Sequence, residues 1–128
     1  MSDEIPHELN IKDSLTVTLK EVTDYKYVII GMKGFLDSYN TMDFQRFIFS
    51  VMRKGYIKLI INCTELNYIS SSGVAAFTTL FRAIKQNNGV LVLSCLQQTV
   101  KNIFNILKLS PLFMIVDALE EAVVIIKK

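Results

Sequence analysis

The sequence predicts an α/β fold, with a mixed, mostly parallel sheet of about five strands and about four helices. Segments of strand length alternate with segments whose apolar residues recur at helical spacing, in the order β-β-α-β-α-β-α-β-α. That alternation is typical of strands joined by helical crossovers, which make neighbouring strands parallel. In addition, 51% of the 128 residues are hydrophobic and 20% are charged, a balance typical of a globular domain with a substantial core.

The predicted strands show two patterns. Residues 15–19, Leu-Thr-Val-Thr-Leu, alternate apolar and polar side chains, as in a strand with one buried face. Nearly continuous apolar runs, which indicate strands covered on both faces, occupy residues 25–33, 57–61, 90–93 and 113–116. Because only a short link joins the first two strands, we expect them to pair antiparallel, with residues 15–19 at an edge of the sheet.

Four helices are predicted between and after these strands. Residues 41–53, 72–87 and 98–109 carry apolar side chains at helical spacing. A glycine, an Asn-Asn-Gly run and a proline follow their respective ends, as expected where helices stop. A short final helix is expected after Asp117, which together with Glu120 resembles a capping box. Residues 63–72 are predicted to form a loop before the second helix.

The chain is predicted to form one domain over residues 10–128, preceded by a flexible tail over residues 1–9. The N-terminus is acidic and no hydrophobic segment follows it, so it does not resemble a signal peptide. No apolar run approaches the roughly 20 residues of a membrane helix. We therefore expect a cytoplasmic protein without a membrane partner, in which Cys63 and Cys95 are reduced thiols.

Charge and motifs argue against several functions. The 14 basic and 12 acidic residues give a net charge of +2, without the concentrated basic stripe of a protein that binds nucleic acid directly. His7 is the only histidine, so neither a metal site nor a Ser-His-Asp arrangement is expected. The chain has no Gly-x-x-x-x-Gly-Lys and no Gly-x-Gly-x-x-Gly motif, and no cofactor is expected.

The most unusual local feature is the run Ser70-Ser71-Ser72-Gly73, which directly precedes the second predicted helix. Serine is a favoured N-cap residue because its hydroxyl accepts a hydrogen bond from a helix N–H group. One serine satisfies that need, and three leave at least one hydroxyl free. The spacing alone favours a serine-rich cap without a further role.

Residues 62–74, Asn-Cys-Thr-Glu-Leu-Asn-Tyr-Ile-Ser-Ser-Ser-Gly-Val, resemble the signature of the STAS domain, the fold of anti-sigma factor antagonists. In that family a short hydrophobic loop precedes Asp-Ser-Ser-Gly at a helix start, and the first serine is the regulatory phosphoacceptor. That serine falls on Ser71, and the family's preceding aspartate is Ser70 here. Residues 34–37, Gly-Phe-Leu-Asp, also resemble the family's Gly-x-Leu-Asp turn. The resemblance extends over residues 15–126 in the order of elements.

The resemblance implies partner switching in transcription regulation and signal transduction. The unphosphorylated form is expected to bind an anti-sigma factor, often itself a serine kinase, and thereby to free the sigma factor. Phosphorylation by that kinase is expected to dissociate the complex, and a phosphoserine phosphatase resets it. The protein is then a phosphoprotein substrate and not an enzyme. Ser71 is the expected phosphorylation site, with Ser70 and Ser72 as alternates.

Two loops at the carboxyl end of the sheet are expected to form the partner surface. The expected contact residues are Asp37, Ser38, Tyr39, Asn40, Ser70, Ser71, Ser72, Gly73 and Val74. A phosphate there is expected to act by steric blockade and by repulsion from nearby carboxylates, with Asp37 as this chain's contribution. Asp37 is also expected to satisfy backbone N–H groups in its turn. An exposed edge strand permits a weak homodimer as well as a monomer.

Three other functions stay open. The chain could be a STAS scaffold or signalling-assembly module without a sigma-factor partner, which the replacement of aspartate by Ser70 favours. It could be a small enzyme or phosphocarrier that uses Cys63, although residues 63–73 contain no arginine or lysine to bind a phosphate. It could also bind a nucleotide or a lipid, for which the sequence has no motif.

Overall fold

The computed structural model describes residues 5–128. It contains a six-stranded sheet and four α-helices. In chain order the elements are β1 (Glu8–Ile11), β2 (Leu15–Val22), β3 (Tyr27–Leu36), α1 (Thr41–Arg53), β4 (Lys58–Ile69), α2 (Ser71–Gln86), β5 (Val90–Ser94), α3 (Gln98–Ile106), a short 3-10 helix (Ser110–Leu112), β6 (Met114–Val116) and α4 (Leu119–Ile126). The predicted α/β class is confirmed, with one strand more than the sequence pattern indicates.

The strands lie in the sheet in their order along the chain, β1-β2-β3-β4-β5-β6. The pairs β1–β2 and β2–β3 are antiparallel, and the pairs from β3 to β6 are parallel. The expected antiparallel pairing of the Leu15 strand with its successor is thus confirmed. Its expected place at the sheet edge is wrong, because β1 pairs along it from Glu8 opposite Thr18 to Ile11 opposite Leu15.

The segment before β2 is more structured than the sequence pattern indicates. Of the tail predicted over residues 1–9, residues 1–4 lie outside the described residues. The prediction is wrong for residues 5–9, because Ile5 is buried against the main core and β1 begins at Glu8. Within the described residues, β1 is thus an edge strand that pairs along β2.

Helices α1, α2 and α3 pack on one face of the sheet, where three fully buried phenylalanine rings connect them. The ring centroid of Phe77 in α2 lies 5.9 Å from that of Phe44 in α1, edge to face. It also lies 6.0 Å from that of Phe104 in α3, in a stacked arrangement. Aromatic pairs at such separations add to the stabilisation from burial. This cluster fixes α2, and with it the serine run at its start, against the rest of the domain.

Helix α4 covers part of the opposite face of the sheet. Ala122 and Ile126 of this helix are buried with Tyr27, Ile60 and Val92 from three neighbouring strands. The predicted capping box at its start is wrong. The N-cap residue is Ala118, which makes no side-chain capping bond, and the exposed Asp117 instead approaches the Lys101 ammonium at 3.4 Å.

Candidate functional site

Strands β3 and β4 extend together beyond the rest of the parallel sheet. Pairing of β4 with β5 ends at Asn62, whereas its pairing with β3 continues until Leu36 lies opposite Ile69. The loop predicted over residues 63–72 is therefore wrong for residues 63–69. These residues remain a strand because β3 is longer than the sequence pattern indicates and offers them a partner.

Gly34 explains the extra length of β3. The sequence predicts that this glycine ends the strand, but the strand passes through it with a shift in register. Gly34 has a φ of +115°, and a Cβ atom there would lie 2.2 Å from the carbonyl oxygen of Ser14. Only glycine accepts this conformation and this close contact. The strand therefore continues past Gly34 to Leu36 and the turn that follows.

Side chains within the turn hold residues 37–40 in place. The Asp37 carboxylate accepts hydrogen bonds from the backbone N–H groups of Tyr39 (2.9 Å) and Asn40 (3.3 Å). The predicted role of Asp37 as a turn residue is thus confirmed. The buried Asn40 amide accepts from the N–H of Asp37 and donates to the Phe35 carbonyl and the Ser14 hydroxyl, each at 2.9 Å. The turn is therefore fastened to both β3 and the start of β2.

Replacing Asn40 by alanine is expected to destabilise the domain by about 1–3 kcal/mol, because it leaves buried backbone groups without partners. The free energy of unfolding, measured by urea denaturation, checks this. Ser38→Ala is the matched control, because Ser38 is exposed in the same turn and its loss is expected to cost within about 0.5 kcal/mol. Equal stabilities of the two variants would contradict the role assigned to Asn40.

Ser70 links this turn to the start of α2. Its backbone N–H donates to the Leu36 carbonyl at 2.9 Å. As the N-cap of α2, its hydroxyl oxygen accepts from the Gly73 N–H at 3.2 Å. The expectation that the two loops lie at the same end of the sheet is confirmed. Serine and aspartate cap helices about equally well, so Ser70 preserves the capping function of the residue it replaces.

The next two serines are placed differently. Ser71 and Ser72 are exposed and form the first turn of α2, whereas Ser70 is half-buried. The N–H groups at the start of a helix have no carbonyl partner within the helix, and this first turn contains no acidic side chain. The exposed hydroxyls of Ser71 and Ser72 therefore lie in surroundings that accept added negative charge.

Three residues of the expected partner surface are buried. Asn40 and Val74 have no exposed area, and Gly73 is also buried. A Cβ atom on Gly73 would lie 2.6 Å from Ile69 Cγ1 and 3.0 Å from the Leu36 carbonyl oxygen. Their place in the partner surface stays a prediction, and in the free chain the Asn40 and Val74 side chains are not accessible. Asn40 and Gly73 hold the exposed residues in place, Asn40 through its hydrogen bonds and Gly73 because a side chain there would push against Ile69 and the Leu36 carbonyl.

The sequence pattern did not indicate two aromatic residues beside these loops. Phe35 and Tyr68 are register partners on β3 and β4, and their side chains are 47% and 48% exposed. Each precedes a buried residue, Leu36 or Ile69, so both rings point away from the main core. Recognising residues 63–69 as a strand would have placed them on this face. Tyr39 in the turn is 81% exposed, and its place in the partner surface stays a prediction.

The structure argues against chemistry at Cys63. This thiol is fully buried, and burial raises the pKa of Cys63 to about 12. A nucleophilic cysteine needs a lowered pKa and access to solvent, and Cys63 has neither.

A thiol reagent such as Ellman's reagent is therefore expected to modify Cys95 but not Cys63 in the folded protein. Cys95 is partly exposed at the end of β5, whereas Cys63 becomes accessible only on unfolding. Absorbance should report one reactive thiol under native conditions and two in denaturant. Cys95→Ser is the control, and rapid native labelling of that variant would show that Cys63 is accessible after all.

Residues 5–128 include no helix whose length and apolar character would let it span a bilayer.

Both the sequence and the fold of this chain match known proteins. Residues 16–122 match the STAS domain family, a range that includes both loops of the candidate site. An anti-sigma-B factor antagonist from Listeria monocytogenes is 28% identical over 102 residues, which cover 80% of this chain and 89% of that protein. The anti-sigma factor antagonist SpoIIAA in its unphosphorylated form is 27% identical, with a TM-score of 0.71 over 84% of this chain and 92% of SpoIIAA. The phosphorylated form of Bacillus SpoIIAA is 25% identical, with a TM-score of 0.66 over 86% of this chain and 98% of SpoIIAA.

Proposed function

Because the chain belongs to the STAS domain family, we propose that it is an anti-sigma factor antagonist switched by phosphorylation of Ser71. The unphosphorylated form binds an anti-sigma factor that is also a serine kinase, and a phosphoserine phosphatase restores that form after release. The exposed position of Ser71 at the start of α2, beside the Asp37 turn, is the observation that carries this proposal. The named relatives support it, since SpoIIAA is described in both phosphorylation states.

Ser71 is favoured over Ser70 and Ser72 as the phosphorylation site because the three serines have different structural roles. The Ser70 hydroxyl caps α2 through its contact with the Gly73 N–H, so a phosphate on Ser70 would compete with the cap. Ser72 is exposed but lies one residue further into the helix. Ser71 combines an exposed hydroxyl with a place directly after the cap, and Ser70 and Ser72 remain alternates.

The switch follows from the charge of the phosphate. The kinase transfers the γ-phosphoryl group of ATP to Ser71 Oγ, ADP leaves, and the hydroxyl proton is released. The product adds a charge of about −1.5 to −2 at neutral pH. At a helix N-terminus this charge is tolerated by the fold. In a closed interface the phosphate would have to lose its hydration and would obstruct the partner's surface, with Asp37 adding to the negative charge of this surface, so the phosphorylated form dissociates.

In this function the chain is a kinase substrate that acts by binding in the cytoplasm, without catalysis of its own and without direct contact with DNA. The exposed members of the expected contact set, Ser38, Tyr39, Ser71 and Ser72, and the half-buried Asp37 and Ser70 form the surface that meets the partner.

The test is to incubate the purified chain with ATP and candidate serine kinases from the same cell, and to map phosphate by mass spectrometry. One phosphate on Ser71 is expected, lost in Ser71→Ala and retained in the matched Ser72→Ala variant. Phosphate on Ser70 or Ser72 would keep the mechanism and correct the site. The absence of phosphate with every cognate kinase would refute the switch, and copurification of a non-sigma assembly would then identify a STAS scaffold.

A further inference from the structure

Phe35 and Tyr68 form an exposed aromatic pair next to the proposed switch. They are register partners on neighbouring strands and lie on the face of the sheet opposite the main core. Helix α4 covers this face near the starts of β3 and β4, around Tyr27 and Ile60. It leaves the Phe35 and Tyr68 side chains 47% and 48% exposed. Exposed aromatic side chains grouped on one surface indicate a protein contact more often than isolated apolar residues do.

The charges beside the aromatic pair compensate each other. Lys33 and Glu65 are also register partners on β3 and β4, and the Lys33 ammonium lies 3.7 Å from the Glu65 carboxylate. The rim next to the two rings is therefore close to neutral. Such a patch complements an uncharged, apolar surface and not a strongly basic or acidic one.

The strands that carry the aromatic pair lead directly into the switch residues, although the two rings lie on the face of the sheet opposite α2. The carbonyl oxygen of Phe35 accepts a hydrogen bond from the side-chain amide of Asn40 in the turn. Tyr68 lies two residues before Ser70, the cap of α2. Both residues lie on paired strands, which fix the position of their backbone at this end of the sheet.

We propose that the aromatic pair anchors the anti-sigma factor by packing against an uncharged, apolar face of that partner. This inference rests on the proposed function and divides it into an anchor, formed by Phe35 and Tyr68, and a switch at Ser71. Aromatic side chains bury a large area while losing few rotamers, and they are enriched among the residues that dominate binding energy. The anchor supplies binding energy in the unphosphorylated state. After phosphorylation, the unfavourable contribution of the phosphate to binding exceeds that of the anchor.

The chain offers an internal control on a separate surface. Met114 on β6 is 50% exposed, similar to the two rings. It belongs to the strand at the far side of the sheet, separated from β4 by β5. Met114→Ala therefore removes a comparable exposed apolar group away from the switch.

Isothermal titration calorimetry of the unphosphorylated full chain with its anti-sigma factor tests the anchor. Phe35→Ala and Tyr68→Ala are each expected to weaken binding at least about 10-fold, and the double variant more. Tyr68→Phe and Met114→Ala should bind within about 3-fold of the unmodified chain. Because the replaced side chains are exposed, circular dichroism and melting curves are expected to show intact folds.

Phosphorylation kinetics separate the anchor from the switch. The aromatic variants should raise KM for the kinase and leave kcat unchanged, whereas Ser71→Ala should remove phosphorylation. Binding of Phe35→Ala and Tyr68→Ala as tight as that of Met114→Ala would overturn the anchor and leave the proposed function standing. Failure of the unmodified chain to bind any cognate anti-sigma factor would instead overturn the proposed function, and the anchor with it.

Discussion

Phosphorylation of Ser71 is expected to weaken binding of the anti-sigma factor by at least about 100-fold, because a charge of about −1.5 to −2 must then be buried in the interface. Calorimetry with the enzymatically phosphorylated, repurified chain measures this change. The melting temperature of the phosphorylated chain should stay within a few degrees of that of the unmodified chain, since the start of α2 tolerates an anion.

Ser71→Ala provides the control for that experiment. The variant should still bind the anti-sigma factor and should not be released when ATP is added. A phosphorylated chain that binds as tightly as the unmodified one would show that Ser71 does not control the interface. A large drop in melting temperature would show that release comes from unfolding and not from repulsion at the surface.

Phe77→Ala is expected to remove about 3–5 kcal/mol from the free energy of unfolding. The ring of Phe77 is fully buried between Phe44 and Phe104, so its loss leaves a cavity where α1, α2 and α3 meet. Domains of this size have a total stability of about 5–15 kcal/mol, so the variant should be close to unfolding. Urea denaturation followed by circular dichroism measures the change.

Tyr39→Ala serves as the comparison for Phe77→Ala, because the Tyr39 side chain is 81% exposed. Its removal should change stability by no more than about 0.5 kcal/mol. Similar costs for the two variants would mean that the three-ring cluster does not hold the helices together.

The helices and buried strands were predictable because their patterns are regular, whereas the end of β4 was not. From Thr64 to Ile69 only every third residue is buried, namely Leu66 and Ile69, and the residues between them are exposed. A regular strand alternates at every residue. The register shift between the Gly34 and Phe35 pairs places an additional residue, Asn67, in β4, and this irregularity conceals the strand.

β1 was missed for a different reason. The turn that returns the chain to β2 has Lys12 and Asp13 at φ values of 54° and 57°. Two consecutive residues with positive φ form the type I′ turn that favours hairpins, and its usual sequence signal contains glycine. This turn has none, so neither the hairpin nor its short first strand is apparent from the sequence.

Much of the candidate site follows from local sequence, and the remainder depends on distant contacts. The cap at Ser70 and the turn at Asp37 use side-chain preferences that act over three residues. The burial of Asn40 requires Ser14, which lies 26 residues away in the chain. The exposure of Tyr68 likewise depends on where α4 ends on the sheet, and no local pattern contains that information.

The strand order has a consequence for how the protein is made. Because each strand lies beside the one synthesised before it, the sheet can grow strand by strand as the nascent chain leaves the ribosome, without insertion of a later strand between two earlier ones. The last helix, α4, is the element that covers Tyr27, Ile60 and Val92. Until it emerges, those apolar side chains are open to chaperones and to aggregation, and translation that stops before Leu119 would leave them so.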